Sequence, residues 1–136
     1  MAAFLDTNIL LYSISTADDE TAKRDKAIAL LDRDDCVLSI QVLQEFYVQA
    51  TRPSRAGALP HTTATAFMRT WARFRIQDNT LAVLNSALEV RDQTGFSFWD
   101  CSIIAAAQTA GCDTLYSEDL SNGRQVNGVL VVNPFC

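Results

Sequence analysis

The side chains of this 136-residue chain with the means to do chemistry are carboxylates. The one histidine, His61, stands in Pro60-His61-Thr62-Thr63, and Cys36, Cys101, Cys112 and Cys136 form no CxxC and have no histidine at zinc spacing. That argues against a zinc site and against a mechanism needing a histidine base. Neither GxGxxG nor GxxxxGK[ST] occurs, so the usual dinucleotide and P-loop readings have no residues to stand on. What remains is a set of acids far apart in sequence: Asp6 in Phe4-Leu5-Asp6-Thr7-Asn8, Glu45 in Gln44-Glu45-Phe46, Asp100 in Phe98-Trp99-Asp100, and Asp119 in Ser117-Glu118-Asp119. Brought together, like charges repel and raise one another's pKa, and a divalent cation is the natural compensation. Carboxylate oxygens suit Mg2+ or Mn2+, which keep several waters. Such an ion lowers the pKa of a bound water, orients it, and stabilises charge on a phosphodiester. Phosphodiester hydrolysis is the chemistry this set supports.

For that, the fold must bring the acids to one place. Ala2 to Leu5 reads as an apolar strand, closed by Asp6-Thr7-Asn8 and followed by a short helix from Ile9 to Ile14. Residues 19–32 read as a surface helix with Ala22, Ala27, Leu30 and Leu31 as its apolar positions. Cys36 to Ser39 is a second strand, and residues 41–50 a helix whose stripe is Val42, Leu43, Phe46, Tyr47 and Ala50. Pro53, Gly57 and Pro60 make residues 52–60 a loop. Helices follow at residues 62–74, 81–92 and 97–110, with an extended piece near Ile76 and a C-terminal Gly111. Thr114 to Ser117 and Val129 to Val132 complete the strands. Strands joined through helices imply an α/β fold: three layers, α/β/α, around a mostly parallel sheet, in one domain spanning residues 1–136.

Open parallel sheets bind ligands outside the carboxyl ends of their strands. Asp6 and Asp119 each follow a strand, Glu45 lies in the first turns of the helix leaving the second strand, and Asp100 opens the helix at Ser97. Taken singly, each has a plainer explanation. Asp6 could cap a helix. Asp100 could belong to a capping box with Ser97. Asp119 could be a turn aspartate, and Glu45, away from its helix's apolar stripe, a solvent-exposed side chain. Four acids at equivalent ends of one sheet favour a site.

Hydrophobic residues make up 49% and charged residues 20%, enough for one core without disorder. No apolar run approaches the ~20 residues of a membrane span, and Asp6 interrupts the first apolar stretch, so the start does not read as a signal peptide. The expectation is a cytoplasmic protein with no membrane contact, whose cysteines are buried free thiols. A net charge of −5 argues against a protein that coats nucleic acid non-specifically.

The quoted motifs, in order along the whole chain, resemble the PIN domain family. Phe4-Leu5-Asp6-Thr7-Asn8-Ile9-Leu10 resembles its opening and Gln44-Glu45-Phe46 its second acidic motif. Phe98-Trp99-Asp100 with Ile103-Ile104-Ala105-Ala106-Ala107 is similar to the third, and Leu115 to Leu120 with Asn122-Gly123 and Val132-Asn133-Pro134-Phe135 to the fourth and the closing strand. Among PIN domains, a chain of this size resembles the VapC toxins of bacterial toxin–antitoxin pairs. The resemblance implies a Mg2+- or Mn2+-dependent endoribonuclease, a homodimer held inactive by a small antitoxin protein that covers the acidic pocket. It also implies Asp6, Glu45, Asp100 and Asp119 as the catalytic acids, with Asp6, Asp100 and Asp119 on the metal and Thr7, Asn8 and Ser117 in support. Glu45 could be a direct ligand, act through a water, or position the attacking water; one or two metals could bind. Glu118 beside Asp119 makes the ligand ambiguous, with Asp119 the preferred choice.

An RNA substrate needs local basic residues on an acidic protein. Arg52 and Arg55 border the Pro53 loop, and Arg124 follows the Asp119 turn and lies nearest the pocket on this reading. Arg69 and Arg73 read as a solvated helix face, and Lys23, Arg24 and Lys26 as ordinary surface. Two other function classes fit the same residues: a PIN-like metal- or RNA-binding regulatory protein without significant catalysis, and a DNA-directed nuclease. RNA is preferred over DNA on the resemblance alone.

Overall fold

In a computed structural model that describes residues 2–136, the chain forms six strands and six α-helices among the described residues. In chain order these are β1 (Ala3–Leu5), α1 (Thr7–Ser13), α2 (Thr21–Leu31), β2 (Cys36–Ser39), α3 (Ile40–Ala50), α4 (His61–Trp71), β3 (Arg75–Gln77), α5 (Leu81–Thr94), α6 (Phe98–Thr109), β4 (Thr114–Tyr116), β5 (Gln125–Val126) and β6 (Val129–Val132). The expected helices and strands are all present, with no end moved by more than three residues. Helix α2 departs most in pattern: a 3₁₀ turn at Asp18–Glu20 leads into it, Ala22 is exposed, and only Ala27 and Leu31 are buried.

The sheet runs β3-β2-β1-β4-β6-β5, parallel except for β5 against β6, and helices flank it in a three-layer α/β/α arrangement. The antiparallel edge strand β5 was not expected. Its signal is the Asn127-Gly128 pair, both at positive φ (50° and 85°), which a tight hairpin requires. The chain lays β1, β2 and β3 in one direction, then returns to place β4 on the other side of β1. The two central strands are therefore where the order reverses, the point at which open α/β sheets form a crevice at their carboxyl ends.

Local chemistry sets the helix starts. Ser39, Thr80 and Ser97 have extended backbones, and each side chain accepts from the N–H three residues on. Helix α6 is buried from Cys101 to Ala107, apolar there except for Ser102, as suits a helix covered on several sides. It contacts β2, β3, β4 and β6 and packs most extensively against α5. On α3, Phe46 is fully buried and meets Trp71 of α4 edge-on at 4.7 Å. Of the thiols, Cys36, Cys101 and Cys112 are free and buried as expected, whereas Cys136 is free and exposed.

Phe46→Ala would remove a fully buried ring from the packing of α3 on α4, at a cost of about 3–5 kcal/mol. Urea unfolding is expected to show that loss, with a midpoint shift and an unchanged slope.

Candidate active site

Asp6 is the first residue beyond β1 and the N-cap of α1, with an extended backbone (φ −74°, ψ 165°). Its Oδ1 accepts the Thr7 N–H at 2.7 Å and its Oδ2 the Ser117 hydroxyl at 2.7 Å. Register explains the second bond: Leu5 of β1 pairs with Tyr116 of β4, so Asp6 and Ser117 leave adjacent central strands side by side. The carboxylate is thus the cap it could have been and also bridges β1 to the end of β4. Only 7% of Asp6 is exposed. Burial pushes its pKa up from the usual 3.8 to about 6; the bonds from Ser117 and Thr7 oppose the rise, and the charges of Glu45 and Asp119 add to it.

Ser117 is fully buried and joins three groups. Besides donating to Asp6, it accepts the Asp119 N–H at 3.1 Å and the Asn8 side-chain amide at 3.2 Å. Asn8 donates also to Asp119 Oδ2 at 3.2 Å, and its own Oδ1 accepts the Glu118 N–H at 3.2 Å. Neighbouring Glu118 is engaged elsewhere, accepting from the Tyr12 hydroxyl at 2.8 Å and pairing with Lys23 at 2.9 Å. Lys23 also bonds the Tyr12 hydroxyl at 3.2 Å. It is therefore not ordinary surface: it holds Glu118 on α2's side while Asp119 shares partners with Asp6.

Glu45 is half-buried rather than solvated. Its Oε1 accepts the Thr7 hydroxyl at 3.3 Å and the Gln41 amide at 3.4 Å. Burial raises its pKa, those two bonds lower it, and the charges of Asp100 and Asp119 raise it further. Gln41 was missed by the sequence reading. One turn before Glu45 on the same helix, it also donates to the Trp99 carbonyl at 3.2 Å and so ties α3 to α6. Asp100 lies in the first turn of α6, its N–H donating to Ser97 Oγ at 3.3 Å. The other half of a capping box is missing, since among the described residues no bond returns from the Asp100 carboxylate to Ser97.

The ion pairs among the described residues are Lys23–Glu118, Arg24–Asp25 and Arg33–Asp35, so none of the four acids is neutralised by a cation of the chain. Among the same residues no three acidic side chains gather closely enough to grip one ion directly. An all-oxygen donor set that is spread out and partly desolvated fits an ion that keeps water in its shell, as Mg2+ does. Of the arginines, Arg52 borders a cleft of about 340 Å3 with Glu45, and Arg55 a smaller one of about 160 Å3 with Asp119 and Asn8. The Arg124 guanidinium stacks over the Phe96 ring at 5.2 Å, just before the start of α6.

The three-layer α/β/α sheet, with Asp6 and Asp119 at the ends of its central strands, is the architecture of a PIN domain. The PIN domain family profile matches residues 3–121, and the chain belongs to that family. Its fold is similar to that of a toxin–antitoxin complex protein from Klebsiella pneumoniae, with a TM-score of 0.71 and 20% identity, covering 98% of each chain. It is similar too to the VapC20 toxin of Mycobacterium tuberculosis, described as cleaving the sarcin–ricin loop: TM-score 0.66, 25% identity, over 87% of this chain and 90% of that one. A third similar structure is a DNA-bound VapBC of Salmonella typhimurium, at TM-score 0.70 and 15% identity, covering 100% of this chain and 99% of that one. Comparison with curated protein sequences gives no match.

The buried Asp6 has a stability consequence. Folded, it holds its proton up to about pH 6; unfolded, only to its usual 3.8. Stability from this group is therefore fully present below about pH 3.8 and is lost as pH rises through about 6, by at most about 3 kcal/mol. In chelator, urea unfolding is expected to show a decline over this window that is smaller in Asp6→Asn. An equal decline in the variant would assign it to other groups.

Proposed function

We propose that this chain is a Mg2+- or Mn2+-dependent endoribonuclease, the toxin of a VapBC-type pair, working in the cytoplasm as a homodimer under restraint by a small antitoxin. The observation that carries this reading is the buried, hydrogen-bonded Asp6 among three further acids, none of them paired with a cation of the chain, at the sheet's central crevice. Membership of the PIN domain family supports it, as does likeness to a toxin described as cleaving the sarcin–ricin loop and to proteins of toxin–antitoxin complexes. No helix among the described residues is long and apolar enough to cross a membrane.

On this reading Asp6, Asp100 and Asp119 hold the ion, directly or through water, and Glu45 is a fourth acid for the attacking water. The bound ion supplies a more acidic water and charge stabilisation at the phosphodiester. The chain's own residues provide orientation. Ser117 and Thr7 aim Asp6, Asn8 with Ser117 holds Asp119, and Thr7 with Gln41 holds Glu45. Arg52 and Arg55, each bordering a cleft that also contains one of the acids, receive the phosphates flanking the scissile bond.

Incubation of the protein with total RNA, structured RNAs and matching DNA, in Mg2+, Mn2+ or EDTA, is the direct test. Discrete RNA products are expected with either ion and none in EDTA, with Asp100→Asn reducing the rate about 100-fold or more. Activity that persists in EDTA or in the variant would overturn the site. Preferential cutting of DNA would replace the substrate assignment.

A further inference from the structure

The cleft beside Glu45 contains more than the acidic chemistry requires. Trp99, immediately before Asp100, is 65% exposed, whereas the other tryptophan, Trp71, is buried at 4%. The Phe98 ring meets the Trp99 indole edge-on at 5.2 Å and 76°. The Trp99 carbonyl is held by the same Gln41 amide that reaches Glu45 Oε1, so the backbone carrying the indole is fixed relative to that carboxylate. Trp99 and Val48, itself 56% exposed, give the cleft apolar walls; Gln44 and Gln49 add amides, and Arg52 a guanidinium. At about 340 Å3 it is at the small end of ligand-sized clefts.

The geometry points to a nucleobase subsite in this cleft, where an unpaired base of a single-stranded or looped RNA stacks on Trp99 next to the acidic centre. An indole offers a face to any base. The Gln44 and Gln49 amides carry donors and acceptors for a base edge, which stacking alone does not read. Arg52 complements the adjoining phosphate, and Glu45 at the same cleft places the base one nucleotide or so from the bond to be cut. The inference rests on the nuclease reading and adds the place where the nucleotide beside the scissile bond is held, Trp99 stacking its base and the Gln44 and Gln49 amides reading its edge.

A competing occupant is a second protein chain. Leu81, Leu84 and Leu88 lie exposed on α5, and Leu84 shares a smaller cleft with Trp99 and Phe98. That side has neither an acid nor an arginine in its lining, whereas the Glu45 side has both, which favours RNA on the latter.

The test uses the full chain and fluorescein-labelled single-stranded RNAs of about ten nucleotides, of A, C or U, in EDTA at low ionic strength. Anisotropy gives affinity, and sedimentation gives the oligomeric state of each protein. Trp99→Ala is expected to weaken binding about tenfold or more, Trp99→Phe to retain most of it, and neither to change the sedimenting species. Wild-type binding that Trp99→Ala leaves unchanged, or a Trp99→Ala protein of altered oligomeric state, overturns the subsite and assigns Trp99 to a protein contact. A wild-type chain that binds no strand overturns the subsite. If it also cleaves no RNA in Mg2+ or Mn2+, the nuclease reading fails as well; if it cleaves, that reading survives alone.

Discussion

The site depends on one buried carboxylate. Asp6 lies almost out of water at the join of β1 and β4, and both of its oxygens are occupied, by the Thr7 N–H and the Ser117 hydroxyl. A desolvated acid is costly unless it is hydrogen-bonded and its charge compensated. The local architecture meets the first condition and leaves the second open. The ends of the two central strands, the start of α1 and the loop after β4 are each oriented by one of these bonds or by the Ser117–Asn8–Asp119 contacts that follow from them. A shift of register between β1 and β4 would separate Asp6 from Ser117 and dissolve the arrangement.

Compensation within the chain is unevenly distributed. Glu118 has Lys23 and Tyr12, and Asp35 has Arg33, whereas Asp6, Glu45 and Asp119 have hydroxyl, amide or backbone donors. The Asp100 carboxylate has no hydrogen-bond partner among the described residues, and none of the four has a cation of the chain. Hydroxyls and amides orient carboxylates without cancelling their charge. The crevice is thereby kept electrostatically unsatisfied, at a cost to the folded chain that a bound cation would relieve.

Much of this could be read from the sequence, because strand-terminal acids and turn residues are local signals. The positions of Asp6 and Asp119 follow from where apolar runs stop, and the α/β order follows from alternation. Glu45 was less legible: its offset from the apolar stripe of α3 suggested solvent, and its partners Thr7 and Gln41 become visible only once α1 packs on α3. The same holds for Lys23, whose partner Glu118 lies 95 residues away. The stacking of Arg124, at the start of the hairpin of β5 and β6, over Phe96 was likewise not legible, because it joins residues far apart in sequence. That hairpin was itself overlooked because a two-residue strand has too little pattern to see.

The placement of β4 beside β1 has a bearing on the order of biosynthesis. The bond between Ser117 and Asp6 closes over 111 residues, and the neighbouring bond from Asn8 to Asp119 over the same separation. Contacts of such range form late, since a large loop must be closed before they return any stabilisation. A growing chain on the ribosome carries Asp6 from the outset but cannot complete the crevice until β4 and its loop have emerged. Fragments that stop short of β4 thus bear the first acid without its partners, and the centre assembles only once β4 and its loop are present.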